Sequence, residues 1–318
     1  MSNLSKPPSR RASSGAPSPI ALIALPVGVG APDPGCAKGP DALLAQGLEG
    51  RLRSLDPTRG RTFNRTVEVI RLGLNSATRR SSGSISATAT IRDHAERLAA
   101  TVAECIRRGY QPLVLGGDHS CAIGTWKGAA QAVAQQGAVG LVWLDAHLDA
   151  HTPATTPSGM IHGMPLAVLL GHGDARLVRA GQSACIDPRH LCLVGVRSFE
   201  VEESALLAGL GVRIIQMPEI DAKGLVTTLR EAIEIASGAP GGWGISIDLD
   251  VLDPLDAPGV GSPAPHGLEP QALIKALAGI AMTPGFLGAE MSEYNPELDP
   301  KGITGRVADA LLVSMFSN

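Results

Sequence analysis

The sequence predicts an α/β protein built around one mainly parallel β-sheet. Short apolar runs alternate along the chain with longer amphipathic stretches, which is typical of strands and helices that follow one another in such a sheet. The runs are continuously apolar, and this pattern indicates strands that are buried on both faces. Hydrophobic residues make up 44% of the 318 positions, which is enough for one sizeable core.

The predicted elements follow from these runs and from the turn residues between them. Strands are predicted at 20–25, 66–70, 111–115, 140–144, 191–196, 212–216, 244–247 and 285–291. Helices are predicted at 91–109, 125–136, 202–208, 224–236, 269–281 and 303–316. Segments 73–90 and 148–163 are rich in Ser, Thr, Gly and Pro, which indicates loops. No linker divides the chain, so we expect one domain over residues 19–318.

Residues 1–18 differ in composition from the rest of the chain. They are rich in Ser, Pro and Arg and contain no acidic residue, which is typical of a disordered tail. An organelle transit peptide is the alternative interpretation. A secretory signal is disfavoured because no apolar stretch precedes Pro17.

The overall composition excludes several classes of partner. The chain has 27 Lys and Arg against 30 Asp and Glu, and 3% of its residues are aromatic. It therefore has no charge excess for nucleic acid or an anionic membrane, and few rings on which bases would stack. No apolar stretch of about 18 residues predicts a membrane span. The five cysteines lack CxxC spacing, which argues against disulfides or a thiolate metal site and favours the cytoplasm.

Two motifs with metal-binding side chains directly follow predicted strands. The sequence GGDHS occupies 116–120, and DAHLD occupies 145–149. Ligands bind at the carboxyl ends of strands in open α/β sheets, so we expect His119 to lie at that edge. Asp145, His147 and Asp149 are spaced so that extended backbone would place all three on one side. This arrangement indicates a metal site rather than an incidental acidic loop.

A third motif, SIDLDVLDP at 246–254, places Asp248 and Asp250 at the end of another apolar strand. Asp253 precedes a proline and is predicted to cap a turn. Four carboxylates in one crevice would repel one another, and two divalent cations would neutralise them. Carboxylates that bridge two metals, with one imidazole for each, form a hydrolytic site that lowers the pKa of a bridging water. The oxygen and nitrogen ligands favour Mn over Zn or Cu.

Taken together in order and spacing, these motifs and SGMIHGMP at 158–165 resemble the arginase/agmatinase (ureohydrolase) family. The resemblance runs from about residue 20 to residue 316, and includes GPDAL at 39–43 and MSEYNP at 291–296. It implies an arginase-like three-layer α/β/α fold and hydrolysis of a guanidino group to urea plus an amine. It also implies two Mn²⁺ per chain and a homo-oligomer, either trimer or hexamer. Co²⁺ and Ni²⁺ accept similar ligands.

The resemblance also implies roles for individual residues. One metal would be held by His119, Asp145, Asp149 and Asp248. The other would be held by Asp145, His147, Asp248 and Asp250, with Asp145 and Asp248 bridging.

Three of these motif positions imply catalytic roles. His162 matches the family's proton-shuttle histidine. Glu293 matches the glutamate that pairs with the substrate guanidinium, which a carboxylate can bind through two hydrogen bonds. Asp149 would also hydrogen-bond the attacking hydroxide and pass its proton to the leaving amine.

The loop at 151–160 resembles the arginase type and favours L-arginine as substrate, giving L-ornithine and urea. Ser158 matches a serine that contacts the substrate carboxylate. Glu200 falls where arginases place the Asp that reads the α-amino group, and Glu203 falls on a second acidic position. Ser262 is predicted to line the pocket.

Two departures leave the substrate open. His151 and Met160 replace two asparagines that a typical arginase uses near the α-carboxylate. A methionine cannot donate a strong hydrogen bond, whereas a histidine can. Other guanidino acids, such as hydroxyarginine, guanidinobutyrate or guanidinopropionate, and agmatine therefore stay as alternatives.

Two other classes of function compete with a ureohydrolase. A metal-dependent deacetylase of the same general fold would use a single catalytic metal and a different His/Tyr set. A non-catalytic binding member would normally have lost metal ligands, and none is lost here. Outside the motifs, His94 is predicted to lie on an exposed helix face, and Cys121 is predicted to be a small core residue.

Overall fold

The computed structural model describes residues 17–55, 65–73, 87–181 and 185–317. Within these ranges the strands are β1 (Ile20–Leu25), β2 (Val67–Arg71), β3 (Gln111–Gly116), β4 (Val139–Leu144), β5 (Ile186–Val196), β6 (Arg213–Gln216), β7 (Trp243–Asp248) and β8 (Phe286–Ser292). They form one sheet in the order β2-β1-β3-β8-β7-β4-β5-β6. Every pairing between these strands is parallel, so the predicted parallel sheet is confirmed.

The helices of the described residues connect these strands. They are α1 (Gly39–Ala45), α2 (Leu48–Arg53), α3 (Ala87–Arg107), α4 (Cys121–Ala132), α5 (Pro165–Leu169), α6 (Ala175–Val178), α7 (Val201–Gly209), α8 (Met217–Lys223), α9 (Leu225–Ser237), α10 (Pro270–Leu277) and α11 (Ile303–Met315). None of them is both long and apolar enough to cross a membrane.

Helices cover both faces of the sheet and so produce three layers. Alternate residues of a strand point to opposite faces, and β1 divides its side chains accordingly. Ile20 and Leu22 join a core that contains residues of α1, α2, α8, α9, α10 and α11. Ile23 and Leu25 join a second core that contains residues of α3, α4, α5, α6 and α7. The α/β/α arrangement is therefore confirmed.

Several predicted boundaries differ from the structure for local reasons. Strand β5 begins at Ile186 rather than at 191. Its first half is polar, so no apolar run marks it as a strand. Helix α4 occupies Cys121–Ala132 rather than 125–136, since it begins directly after the GGDHS turn. Helix α10 ends at Leu277, before Gly279 adopts a φ of 73°, a conformation that favours glycine.

Other differences concern elements that periodicity could not predict. The helices α1, α2, α5, α6 and α8 are too short to display a clear amphipathic repeat. Helix α3 begins at Ala87, inside the predicted loop 73–90, of which 74–86 lies outside the described residues. The predicted tail lies outside them too, except for residues 17 and 18. His94 is 2% exposed, so the prediction of an exposed face is wrong, whereas Cys121 is buried as predicted.

The strand order explains why distant motifs meet. Strands β3, β8, β7 and β4 are consecutive neighbours in the sheet, and because they are parallel their carboxyl ends share one edge. The ends of these strands and the loops that follow them carry the GGDHS, MSEYNP, SIDLDVLDP and DAHLD motifs. Four segments separated widely in sequence therefore contribute side chains to one place.

Candidate active site

The first cluster at this edge is organised around the imidazole of His119. Its Nδ1 atom lies 3.0 Å from Asp149 Oδ2, 3.1 Å from Asp248 Oδ2 and 3.4 Å from Asp145 Oδ2. All four side chains are buried, and their donor atoms lie within 4.8 Å of one another. The structure thus brings together the four residues that the motifs predicted for one metal.

A second cluster adjoins the first and shares Asp145 with it. His147 Nδ1 lies 3.0 Å from Asp250 Oδ2 and 3.5 Å from Asp145 Oδ1. These three side chains again offer donor atoms within 4.8 Å of one another. Asp145 therefore turns one oxygen toward each histidine.

The chemistry of these residues fits divalent cations. His119 Nδ1 is buried among carboxylate oxygens but makes no hydrogen bond, an arrangement that is costly unless a cation is bound. Burial and the neighbouring charge of Asp145 raise the pKa of Asp149 to about 6. Burial and the charges of Asp250 and Asp145 raise the pKa of Asp248 well above its usual value. Cations would remove this repulsion between carboxylates.

Hydrogen bonds from the surrounding protein hold the clustered carboxylates in place. Trp143 Nε1 donates to Asp145 Oδ2 at 2.8 Å, and the His147 backbone N–H donates to Asp145 Oδ1 at 2.7 Å. The backbone N–H of Ala146 donates to Asp250 Oδ1 at 3.2 Å. The Trp143 ring also stacks on His119 with ring centroids 4.2 Å apart. The clustered side chains are therefore held in place by the end of β4 and the turn that follows it.

Two site residues adopt backbone conformations that side chains rarely take. Asp149 has a φ of 49°, and Glu293 has a φ of 66°, both in the left-handed region. Strain of this kind persists only where the surroundings enforce it, and it concentrates at functional sites. Here the Glu293 backbone N–H donates to the Gly117 carbonyl at 2.7 Å, which ties the β8 loop to the GGDHS turn.

Glu293 and His162 lie against each other beside the first cluster. Glu293 Oε1 accepts a hydrogen bond from the His119 backbone N–H at 2.8 Å and lies 3.2 Å from His162 Nδ1. Burial opposes protonation of His162, but the hydrogen bond and charge of Glu293 raise its pKa to about 9. Glu293 is 4% exposed, so its carboxylate is buried beside the first cluster.

A cavity of about 310 Å³ opens beside both clusters. Its walls are formed by Pro32, His147, Asp149, His151, Pro157, Ser158, His162, Gly163, Ser198, Glu200, Glu203, Asp248, Asp250 and Ser262. The predicted pocket residues Ser158, Glu200, Glu203 and Ser262 thus line it. Met160 and Glu293 do not belong to this lining; the Met160 backbone N–H instead donates to Ser158 Oγ at 3.2 Å.

The wall of the cavity formed by the 151–160 loop and the start of α7 contains a third cluster, made by His151, Glu200 and Glu203. His151 Nε2 lies 3.0 Å from Glu200 Oε2 and 3.3 Å from Glu203 Oε2. Glu200 and Glu203 form a capping box at the start of α7, in which each side chain accepts a backbone N–H of the other.

Several supporting residues escaped the sequence analysis. Ser246 Oγ lies 2.9 Å from His119 Nε2 and donates to Glu290 Oε1 at 2.7 Å. Arg197 donates hydrogen bonds to the backbone carbonyls of Gly195, Asp250, Val251, Leu252, Ala264 and Pro265. A carboxylate within the apolar β8 and an arginine directly after the apolar second half of β5 were the available signals.

The parallel sheet, with imidazoles and carboxylates gathered at its carboxyl edge, has the form of a metal-dependent α/β/α hydrolase. A sequence profile described as "Arginase family" matches residues 18–317. The arginase of Bacillus caldovelox is 37% identical over 305 residues, which cover 94% of this chain and 98% of that protein. The arginase of Bacillus subtilis strain 168 is 35% identical, with 93% and 97% covered.

Solved structures agree with the sequence comparisons. The structure of the Bacillus caldovelox arginase matches with a TM-score of 0.84 at 36% identity, covering 95% of this chain and 99% of that one. The chain belongs to the arginase family, whose members are hydrolases that act on guanidino groups.

Proposed function

We propose that this enzyme hydrolyses L-arginine to L-ornithine and urea and uses two Mn²⁺ ions per chain. The proposal rests on a cavity that both groups of side chains share. His147, Asp149, Asp248 and Asp250 bound it on the metal side, and polar side chains bound it on the opposite side. A guanidino group at the clusters and an amino-acid end at the polar wall would both find complementary partners.

The proposed ligands divide into two sets with shared carboxylates. One ion is assigned to His119, Asp145, Asp149 and Asp248, and the other to Asp145, His147, Asp248 and Asp250. Asp145 supports a bridging role because its two oxygens face different histidines. Ions held by these residues would lower the pKa of a coordinated water and so supply a nucleophile near neutral pH.

The protein's own side chains then position the substrate and move protons. The Glu293 carboxylate, fixed by the His119 backbone N–H, is assigned to orient the guanidinium. The Asp149 carboxylate is assigned to accept a proton from the nucleophile and transfer it to the leaving amine. His162 lines the cavity and contacts Glu293, which supports its assignment as the proton shuttle to solvent.

The far end of the cavity supports an amino-acid substrate. Glu200 is assigned to accept hydrogen bonds from the α-ammonium group, with Glu203 behind it, and Ser158 and Ser262 are assigned to the polar end of the substrate. Met160 does not line the cavity, and Ser158 and Ser262 supply hydroxyl groups at this end instead. This reasoning favours arginine over guanidinobutyrate, guanidinopropionate and agmatine, whereas hydroxyarginine has the same amino-acid end and stays as an alternative.

Urea release from a substrate panel tests the proposal. The metal-stripped protein is loaded with Mn²⁺, Co²⁺ or Ni²⁺ and given each of the five guanidino compounds, with ornithine measured separately. We expect arginine and Mn²⁺ to give the highest kcat/KM. If agmatine or another guanidino acid is hydrolysed fastest, the arginine assignment is wrong. If the protein binds two metals per chain but releases no urea from any of the five compounds, the proposed hydrolysis is wrong and a non-catalytic role is favoured.

The metal assignment is tested with a matched pair of aspartates. Asp250 is a proposed ligand, whereas Asp253, three residues later, accepts the backbone N–H groups of Leu255 and Gly267 and caps a turn. We expect Asp250→Asn to bind less metal per chain by elemental analysis and Asp253→Asn to bind two. Equal metal content in the two variants would contradict the assignment.

We also propose a cytoplasmic homo-oligomer, a trimer or hexamer, whose catalytic domain spans residues 19–318. The five free, buried cysteines support a reducing compartment. Exposed apolar side chains such as Leu255 and Val226, 90% and 60% exposed, support burial between subunits. Light scattering on the purified chain measures the subunit number, and a monomer would exclude the oligomer.

A further inference from the structure

His151 connects two acidic residues of unequal exposure on the far wall of the cavity. Glu203 is 3% exposed, and its carboxylate also accepts the backbone N–H groups of Ala150 at 3.0 Å and Glu200 at 3.2 Å. The Glu200 side chain is 54% exposed and borders the cavity. His151, with a side chain 8% exposed, lies within hydrogen-bonding distance of both carboxylates. The imidazole thus joins an anchored acid to an exposed one.

Both ring nitrogens of His151 are engaged by the protein. Nε2 faces Glu200 and Glu203, and because the exposed Glu200 carboxylate accepts hydrogen bonds, Nε2 carries a proton and donates it to Glu200. The hydrogen bond from His151 lowers the pKa of Glu200, so Glu200 is an ionised acceptor at neutral pH. Nδ1 lies 3.2 Å from Thr155 Oγ1, which also accepts the Thr152 backbone N–H at 2.9 Å. In this arrangement neither nitrogen is directed to a ligand.

We propose that His151 is a positioning residue for substrate specificity, which holds Glu200 as the acceptor for the substrate's ammonium group and makes no contact with the substrate carboxylate. This inference rests on the proposed hydrolysis of arginine. In this role His151 supports binding of the substrate's ammonium group, whereas a carboxylate-binding side chain at the same position would contact the substrate's carboxylate directly. The selectivity it confers is for a positive charge at the end of the substrate.

Three substrates separate these two roles of His151. Arginine carries both an ammonium and a carboxylate group, agmatine keeps the ammonium alone, and 5-guanidinopentanoate keeps the carboxylate alone. If His151 acts through Glu200, His151→Ala raises KM for arginine and agmatine by about tenfold, which equals about 1.4 kcal/mol. KM for 5-guanidinopentanoate then changes by less than about twofold. The opposite pattern, with agmatine spared, would show direct carboxylate binding and overturn the proposal.

A double-mutant cycle tests whether the effect passes through Glu200. We expect Glu200→Gln to raise KM for arginine, and the His151→Ala substitution to add little in that background, because coupled residues are not additive. Fully additive effects would refute the positioning role. His172→Ala is the matched control, since it removes an exposed histidine outside the cavity, and it should leave KM for all three substrates unchanged.

Two further measurements exclude a general structural effect. Metal content and the thermal unfolding midpoint are compared for each variant. A loss of kcat on all three substrates together with a fall in the midpoint would make His151 a merely structural residue and overturn the proposal. If the unaltered enzyme releases no urea from arginine, the proposed function fails first. If it does, and KM rises equally for all substrates, the inference about His151 alone fails.

Discussion

The imidazole of His119 and the carboxylate of Glu290 are linked inside the protein through the hydroxyl of Ser246. That hydroxyl donates to Glu290 Oε1, so its oxygen accepts from His119 Nε2, which therefore carries the proton. Nδ1 then faces the carboxylates of Asp145, Asp149 and Asp248 and would offer its lone pair to a metal ion bound there. This buried chain of hydrogen bonds selects the tautomer that a metal ion requires.

The first prediction concerns the hydrogen bonds that link His119 to Glu290 through Ser246. Ser246→Ala removes the link and lets the His119 ring change tautomer, so we expect metal affinity to fall by about 10- to 100-fold. Isothermal titration of the metal-stripped protein with Mn²⁺ measures the change. Thr283→Ala removes a hydroxyl that contacts a backbone carbonyl far from the site, and it should leave the affinity unchanged. Equal affinities in the two variants would contradict the role of Ser246.

A second prediction separates a proposed ligand from a proposed proton shuttle. Asp149→Asn removes a charge from the first cluster, so both metal content and rate should fall. His162→Asn leaves the clusters intact, and kcat should fall by about 10²- to 10⁴-fold while two metals stay bound. Elemental analysis and urea release on the same preparations measure both quantities. An empty metal site in His162→Asn would refute the assignment of His162.

The third prediction tests the close packing of the GGDHS turn. A Cβ atom at Gly117 would lie 1.6 Å from the Val27 carbonyl oxygen, which also accepts the Asp118 backbone N–H. Gly117→Ala should lower the free energy of unfolding by about 1–3 kcal/mol or more and displace Glu293. Gly50→Ala in α2, where a Cβ meets nothing within 4 Å, should be neutral or stabilising. Urea denaturation measures the free energy of unfolding of the two variants and of the unaltered protein.

The fourth prediction concerns Arg197, which binds the backbone of the loop that follows Asp250. Arg197→Met leaves several carbonyl groups without a donor, so we expect a loss of about 2–4 kcal/mol in the free energy of unfolding and lower metal content. Arg189→Ala removes an arginine whose side chain is 83% exposed and paired with Asp187, and it should cost less than about 1 kcal/mol. A similar loss in both would contradict a specific role for Arg197.

The fifth prediction follows from the buried cysteines. Burial raises the pKa of Cys105 to about 11 and that of Cys185 to about 12, so both are protonated thiols at pH 8. Because the thiolate is the reactive form, the folded enzyme should react negligibly with an aromatic disulfide reagent. Five thiols per chain should react after denaturation, in agreement with five free cysteines. Rapid labelling of the folded protein would show an exposed thiolate instead.

The sequence predicted the strands better than it predicted the helices. All eight strands of the described residues were located. The inner strands contain continuous apolar runs because both of their faces are buried, and the edge strands β2 and β6 keep shorter apolar stretches. Helix α4 was shifted, since apolar residues occur all around it and its pattern does not mark where it begins. Burial of His94 and Glu293 could not be predicted from local pattern, because it depends on the elements that pack over them.

The sequence by itself determined the parallel α/β architecture and the residues that cluster as candidate metal ligands. Apolar runs specify strands, and parallel strands deliver whatever follows them to one edge, so GGDHS, DAHLD and SIDLDVLDP had to converge. The tertiary structure decided what each of these side chains contacts. Neither the Ser246–Glu290 link to His119 nor the placement of His151 between two glutamates is local in sequence. The first joins strands β7 and β8 to the turn after β3, and the second joins the loops after β4 and β5, and these segments come together only when the sheet forms.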